Sequence, residues 1–375
     1  MDHRTAAMKV LSLFSGIGGL DLGFLRRGFE VVLAADSNPL AVASYNVNLD
    51  NVSKVLDLSV ADPSDLPDAD VVIGGPPCQS FSLVGKRAPD DVRGELVFNF
   101  LDVIKTKRPT AFVMENVPGL ESSQINGTRM IDVLIPEFER AGYQVLAVKL
   151  LASDFLVPQR RRRLFLIGVS GRTPVPPDPR AFRAAMTGGD GAGWPVTAAA
   201  AIGDLGEPVA KGELSAYGSN PPSAFARWIR QAAGDYVTLH EYPRMSETDQ
   251  KLVSVIPPGG NYMDVPDELA TSRILRFKQT GGRTTTYGRL RDDEPAYTIN
   301  TYFRRPNVGC HFHYQQNRLI TAREAMRFQA LPDKFQIPPG RQDARNALIG
   351  NAVPPLLSEA IAYSLKLELG STKRA

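Results

Sequence analysis

Three short segments hold side chains whose types and spacing could do chemistry. The first reads Gly74-Gly75-Pro76-Pro77-Cys78-Gln79-Ser80-Phe81-Ser82. A cysteine thiolate is a nucleophile, and the two prolines stiffen the backbone that leads to it. A lone cysteine is more often a small buried hydrophobe, but a polar loop rich in Gly and Pro is a poor place to bury one. The second segment is Glu115-Asn116-Val117, at the end of the apolar run TAFVM. A carboxylate there is either solvated at a sheet rim or brought beside the Cys78 loop by parallel-strand order. The third is Gln159-Arg160-Arg161-Arg162-Arg163. A charge run is usually a solvated face. In extended backbone, however, alternate residues share one side, so Gln159, Arg161 and Arg163 would point together.

Elements of a particular kind must position these groups. Short apolar runs recur at 9–14, 30–36, 53–58, 69–75, 110–117, 143–151 and 163–170. Their density of Val, Ile and Leu suits strands buried on both faces. Helix-like segments lie among them, such as LDLGFLRRG, PLAVASYNVNL, GELVFNFLDVIKTKR and RMIDVLIPEFERAG. This alternation predicts an α/β fold, a Rossmann-like doubly wound and mostly parallel sheet with helices on both faces. Cys78 and Glu115 then sit at the carboxyl edge of the sheet, where such folds bind ligands. After Ser170 the character changes. Residues 171–225 are rich in Pro, Gly and Ala, and 226–320 read as short strands and turns with little helix. A smaller, loop-rich domain or insertion is expected there. The last stretch, 354–370, is amphipathic and opens with prolines that suit a helix start.

The first strand runs into Phe14-Ser15-Gly16-Ile17-Gly18-Gly19, the second ends in Asp36 and the third in Asp57. Glycines let a backbone turn tightly against a bound cofactor, and an acidic residue at the second strand's end can bind ribose hydroxyls. Counted from Gly16, G-x-G-x-x-G puts Gly18 second but Asp21 third, where Gly or Ala is needed. The pyrophosphate fingerprint fails. A site for a nucleoside without pyrophosphate remains, and S-adenosylmethionine fits that description.

Composition narrows the field. The chain has 375 residues, a formal net charge of +3 and two cysteines, Cys78 and Cys310. The charge permits a polyanionic partner without requiring one. Two cysteines make no disulfide framework, so an intracellular, cytoplasmic protein is expected. The opening residues lack the apolar core of a signal peptide, and no apolar run suits a membrane helix. Cys310, His311 and His313 suggest zinc, but structural zinc usually needs four ligands. These three are expected to be structural, and no metal is assigned.

Taken together, the segments resemble the ordered motifs of the cytosine-C5 DNA methyltransferase family. FSGIGG (14–19) resembles its first cofactor motif, GPPCQSFS (75–82) its nucleophile motif and ENV (115–117) its base-binding motif. QRRRR (159–163) fits Q-x-R-x-R, RLITAREAMRFQALPD (318–333) resembles the motif that organises the small domain, and GNAVPP (350–355) the last motif. Only about 171–317, the family's variable target-recognition region, falls outside the match. One departure is Asp36, where the family commonly has Glu. The resemblance implies a catalytic domain of residues 1–170 plus 346–375 and a target-recognition domain of 171–345. It implies Cys78, Glu115, Arg161 and Arg163 as catalytic residues. Cofactor contacts then fall to Phe14, Gly16, Ile17, Asp36, Asp57, Leu58, Pro76, Leu96, Asn351 and Val353.

The implied chemistry is addition of the Cys78 thiolate to carbon 6 of cytosine, which makes carbon 5 electron-rich enough to take a methyl group from S-adenosylmethionine. A cytosine inside a duplex must first be flipped out. Gln79, Ser82 and Gln159 are candidates for contacts to double-stranded DNA. Arg304 and Arg305 are candidate phosphate or guanine contacts in the small domain, with Arg283 and Arg289 as further possibilities. The resemblance implies a restriction-modification or solitary modification enzyme, monomeric and nucleoid-associated, with any cognate endonuclease a separate protein. The family's RNA-modifying branch is the nearest alternative; its recognition region is compact, so the long 171–317 segment favours DNA. Amino-methyltransferases carry an acidic or polar residue before Pro-Pro, where this chain has Gly75, and an aromatic after it, where this chain has Cys78. A non-catalytic DNA-binding paralogue is disfavoured by the full set of Cys78, Glu115, Arg161 and Arg163.

Overall fold

The computed structural model describes residues 7–77, 95–125 and 127–370, the side chain of Glu95 excepted. Cys78, Gln79 and Ser82 lie outside the described residues. The chain divides into two compact units: Met1–Leu151, Arg162–Phe182 and Pro355–Ala375 form one, Ala152–Arg161 and Arg183–Pro354 the other.

The first unit is built on a seven-stranded sheet. Its strands are β1 (Lys9–Leu13), β2 (Glu30–Asp36), β3 (Ser53–Val55), β4 (Val71–Gly74), β5 (Ala111–Asn116), β6 (Tyr143–Leu151) and β7 (Arg162–Ser170). They lie in the order β3-β2-β1-β4-β5-β7-β6. Six fall within one of the seven apolar runs, and β7 overlaps the seventh, starting one residue before it. β1 to β5 are mutually parallel, and β7 is antiparallel to both of its neighbours. The reversal has a simple cause. The connection 152–161 is too short for the crossover that parallel neighbours need.

The helices are α1 (Gly19–Arg26), α2 (Pro39–Asn48), α3 (Glu95–Lys107), α4 (Met130–Arg140) and α5 (Pro355–Gly370). α2 starts where the Asn38 side chain accepts from the amides of Leu40 and Ala41, with Pro39 in the first turn. One side of the sheet packs Val97, Phe100, Leu101 and Ile104 of α3 with Leu134 and Phe138 of α4. α1 and α5 meet at Gly23, where a Cβ would come within 2.4 Å of the Glu359 amide nitrogen. The Ser358 hydroxyl donates to the Leu20 carbonyl there.

The second unit has two centres. A hydrophobic cluster joins Leu252, Val253, Ile256, Tyr262, Ile274 and Phe312. A buried ionic network surrounds the helix Ala322–Phe328, where Arg327 pairs with Asp204 and Asp333, and Arg318 with Glu324. This unit holds more helix than the sequence reading expected. Glu247–Val255 is capped by Ser246, and Ser272–Thr280 by Thr271 with Gly281 left-handed behind it. Both caps were visible as residue types; the surrounding Pro and Gly obscured them.

The unit borders also differ from the expected 170/171 and 345/346. Residues 152–161 and 346–354 belong to the second unit, and 171–182 to the first. Hydrogen bonding contributes to the first shift, because Gln159 and Arg161 bond to Ile299, Phe328, Gln329 and Gly350 of the second unit.

Candidate active site

The ends of β4 and β5 hold the catalytic candidates. Gly74 is needed where it stands, since a Cβ would come within 2.5 Å of the Leu13 carbonyl oxygen on the neighbouring strand. The next residues, Gly75-Pro76-Pro77, lead to Cys78. They are tied to β5 by Asn116, whose Nδ2 donates to the Pro76 carbonyl at 3.0 Å. Glu115 lies against the same segment: its Oε2 is 3.4 Å from where a Cβ on Gly75 would stand. Parallel-strand order therefore brings the carboxylate beside the approach to Cys78, one of the two alternatives left open by the sequence.

Arg163, on antiparallel β7, reaches the same place. Its Nε lies 2.8 Å from Glu115 Oε1, and both side chains are nearly buried, at 13% and 11% exposure. Burial lowers the Arg163 pKa, and the Glu115 carboxylate opposes that shift. At neutral pH the guanidinium stays charged. It holds the carboxylate in one orientation at the sheet edge.

The alternation expected along 159–163 is present. Gln159, Arg161 and Arg163 turn inward, while Arg160 and Arg162 are exposed. Their destinations differ from expectation. Gln159 and Arg161 are both fully buried. Arg161 donates to the carbonyls of Ile299 and Gly350, each at 2.8 Å. Gln159 accepts from the Ile299 amide at 2.8 Å and donates to the Phe328 carbonyl and to Gln329 Oε1, each at 2.9 Å. Gln329 in turn donates to the Ile349 carbonyl at 2.9 Å. These side chains join three segments of the second unit from within. Arg161, expected to hold the base, and Gln159, expected to contact DNA, are thus found buried with these protein partners. Gln329 was missed by the sequence reading, which had no signal for it beyond its place in the RFQALPD segment.

Six of the cofactor candidates, Phe14, Gly16, Ile17, Asp36, Asp57 and Leu58, lie at or just past the carboxyl ends of β1, β2 and β3. The Gly16 amide donates to Asp36 Oδ2 and the Asn38 amide to Oδ1, both at 2.8 Å. Burial raises the Asp36 pKa, and these two amides oppose the rise. Gly16 is left-handed, with φ of +55°, and a Cβ on it would meet nothing within 4 Å. The neighbouring Ser15 hydroxyl is buried with no partner among the described residues. Open space, an anchored carboxylate and an unpaired hydroxyl fit a nucleoside-bearing cofactor. Phe14 also adopts a left-handed turn, with φ of 54°. Ile17 and Leu58 are buried, so main-chain groups are what they can offer a ligand. Asp57 is exposed and accepts from the amide and hydroxyl of Ser59; those bonds hold its pKa down. Leu96 is half-buried on α3. Asn351 and Val353 belong to the second unit, the first exposed at a helix end and the second buried.

The arginines of the second unit sort by environment. Arg289 is buried and donates to the carbonyls of Val253, Ile256, His313 and Gln315. It is structural, not a DNA contact. Arg304 is half-buried in a small pocket with Glu241, Gln342 and Arg345, where desolvation lowers its pKa to about 10. With the Gln342 amide oriented to accept, its oxygen lies 3.1 and 2.9 Å from the Arg304 Nη atoms. Arg305 is exposed, its guanidinium 4.7 Å from the ring of the half-exposed Tyr302. Arg283 is exposed as well. Burial pushes the Cys310 thiol up to about 12 and the His311 and His313 imidazoles down to about 4. No cluster of three metal-ligating side chains occurs among the described residues. No helix among them is long and apolar enough to cross a membrane.

Comparison with known proteins agrees with this geometry. A family profile described as C-5 cytosine-specific DNA methylase matches residues 8–367. Among curated relatives, the type II methyltransferase M.NgoFVII of Neisseria gonorrhoeae is 33% identical, over 92% of this chain and 83% of that protein. Type II methyltransferase M1.HphI of Haemophilus parahaemolyticus is 32% identical, over 96% of this chain and 87% of its own. Among solved structures, a DNA modification methyltransferase encoded within an E. coli prophage superposes with a TM-score of 0.72 at 23% identity, covering 97% of this chain and all (100%) of that one. The Dnmt2 methyltransferase of S. pombe superposes with a TM-score of 0.62 at 16% identity, covering 98% and 100%. Both share the fold. With a matching profile along nearly its whole length, the chain belongs to the C-5 cytosine-specific DNA methylase family and is a DNA cytosine-5 methyltransferase.

Proposed function

We propose that the chain methylates one flipped cytosine in a short duplex DNA sequence, with Cys78 as the nucleophile and S-adenosylmethionine as the methyl donor. The observation that carries this reading is the Glu115–Arg163 pair, set against Gly75 three residues before Cys78. A target base above that edge would meet a carboxylate for its N3 and exocyclic amine edge and a guanidinium beside it.

The steps follow from that arrangement. The Cys78 thiolate adds to carbon 6, and electron density moves to carbon 5 and the ring. Glu115, carrying a proton, donates to N3 and stabilises the adduct. Arg163 orients Glu115 throughout. S-adenosylmethionine, when bound, supplies an electrophilic methyl group. Carbon 5 takes that methyl group, leaving S-adenosylhomocysteine, and transfer of the C5 proton to a water molecule expels the Cys78 thiolate and restores the ring. Phe14, Gly16, Ile17, Asp36, Asp57, Leu58, Pro76, Leu96, Asn351 and Val353 are proposed to bind the donor. The Asp36 carboxylate keeps lone pairs for ribose hydroxyls, and Ser15 offers one further hydroxyl. Arg161 acts as a positioning residue within its own unit.

The first unit is assigned the chemistry and the second the reading of the target sequence. Arg304, Arg305, Gln79 and Ser82 are proposed DNA contacts; of the two arginines, exposed Arg305 is the freer to reach phosphate. The type II methyltransferases among the relatives favour a restriction-modification role, with a separate endonuclease and a monomeric, cytoplasmic enzyme near the nucleoid.

Covalent trapping tests the reading. Duplex DNA of mixed sequence, carrying 5-fluorocytosine, is incubated with the protein and S-adenosylmethionine. Fluorine blocks the final elimination, so a denaturation-resistant band is expected, absent in Cys78→Ala. A band only with 5-fluorocytosine RNA would move the enzyme to the RNA branch. A wild-type band that persists in Cys78→Ala would reject the nucleophile assignment.

A further inference from the structure

Asp21 is the residue that spoils the pyrophosphate fingerprint, and the catalytic steps do not use it. It is fully buried in the first turn of α1, just behind the glycine loop. Two other fully buried polar side chains converge on it: Ser12 from β1 and Tyr45 from α2. The Tyr45 hydroxyl donates to Asp21 Oδ1 at 3.1 Å. Asp21 Oδ2 and the Ser12 hydroxyl have no hydrogen-bond partner among the described residues, and Ser12 stands near enough to act on the Asp21 carboxyl. The Ser12 and Tyr45 hydroxyls can both donate to the ionised Asp21 carboxylate, and below about pH 6 a neutral carboxyl can instead donate its proton to Ser12 while still accepting from Tyr45. Burial favours the neutral form and raises the Asp21 pKa to about 6.

The same tyrosine touches the loop directly. Gly18 is left-handed, with φ of +83°, and a Cβ there would come within 2.8 Å of Tyr45 Cδ2 and 2.5 Å of Leu49 Cδ1. The ring therefore lies flush against the turn. In front, the Gly18 amide donates to the Ser15 carbonyl and the Ser15 amide to the Ala35 carbonyl, both at 3.0 Å. Gly16 is anchored on Asp36. The loop is thus pinned to β2 on one side and backed by Tyr45 on the other.

We propose that Ser12, Asp21 and Tyr45 form a strut behind the cofactor loop, which fixes the turn at Gly18 and so sets residues 14–18 for the methyl donor. Tyr45 and Asp21 are positioning residues; they act through the loop without touching the ligand. The inference rests on the cofactor reading above.

Tyr143 provides a matched control. Its hydroxyl donates to the Pro109 carbonyl at 2.7 Å, also buried, in the part of the sheet that includes β6. Tyr45→Phe and Tyr143→Phe delete the same atom and the same kind of bond. Affinity for S-adenosylhomocysteine is measured by calorimetry on the full chain, with Tm alongside. Tyr45→Phe is expected to weaken binding by about tenfold, the scale of one buried hydrogen bond. Tyr143→Phe should stay within about twofold of wild type at a comparable loss of Tm. Asp21→Asn, whose carboxamide still accepts from Tyr45 and can donate to Ser12, should bind as wild type. Asp21→Ala should show the loss and stands in should Tyr45→Phe not fold. Equal affinities in wild type and Tyr45→Phe, or equal weakening by the two Phe variants, would overturn the strut and leave the cofactor reading intact. A wild-type chain that binds no S-adenosylhomocysteine would overturn both.

Discussion

Glu115 and Arg163 show how much one buried pair can decide. Each is almost sealed from water, so each depends on the other for compensation. Removing one member of such a pair takes away a main compensation for a buried charge, which is destabilising. Arg163→Met should therefore lose both activity and stability. Glu115→Gln should lose activity with a smaller fall in Tm, because the amide oxygen still accepts from the guanidinium. The chemical step should slow by about 10²–10⁴-fold, the range for removing a positioned acid–base group. Single-turnover methylation beside a thermal melt separates the two effects. A Glu115→Gln variant with near wild-type single-turnover rate would remove Glu115 from the chemistry. Arg161 belongs to a different class despite its place in the same run. Its two carbonyl bonds make it part of the second unit's interior.

At the scale of the element, the helix Ala322–Phe328 is distinctive for burying every one of its residues, charges included. It opens with a reciprocal cap: Thr321 accepts from the Glu324 amide, and Glu324 accepts from the Thr321 amide. Burial alone would raise the Glu324 pKa. The hydrogen-bonded Arg318 guanidinium reverses that and holds it far below the usual carboxylate range. The folded pKa thus lies below the unfolded one, near 4.3. The pairing stabilises fully above that value and is lost as pH falls through and below it. Urea unfolding should show wild type losing stability steeply from about pH 5 to pH 3, and Glu324→Gln losing less over the same window. Identical slopes would mean that the carboxylate is not held ionised. The T-x-x-E spacing at Thr321 and Glu324 is a local signal of this helix start, whereas the reading of 318–333 from sequence rested on the family motif alone. The seven strands were legible because buried parallel strands leave continuous apolar runs. Other features had no such local trace. Nothing in QRRRR says that Arg161 bonds to Ile299 and Gly350, since both partners are main-chain carbonyls supplied by distant segments. The reversed β7 was implicit only in a connection length.

For the whole molecule, the balance of charge bears on how DNA is held. A net charge of +3 is small for a chain of 375 residues, so attraction to DNA must come from local groups. Many arginines in the second unit are already committed: Arg289 to carbonyls, Arg318 to Glu324, Arg327 to Asp204 and Asp333. Exposed Arg305, stacked on Tyr302, and exposed Arg283 remain available for phosphate. Each phosphate contact releases about one condensed counterion, so log K should fall linearly with log[salt] at a slope of about −0.9 per contact. Arg305→Ala should make the slope shallower by about one unit and weaken binding equally on target and non-target duplexes, if the contact is to phosphate. A loss confined to the target duplex, with the slope unchanged, would instead make Arg305 a base reader. Fluorescence anisotropy across a salt series on both duplexes distinguishes the two. Arg289→Lys provides the opposite expectation: reduced stability, because a lysine cannot serve four carbonyls at once, and a salt slope equal to wild type.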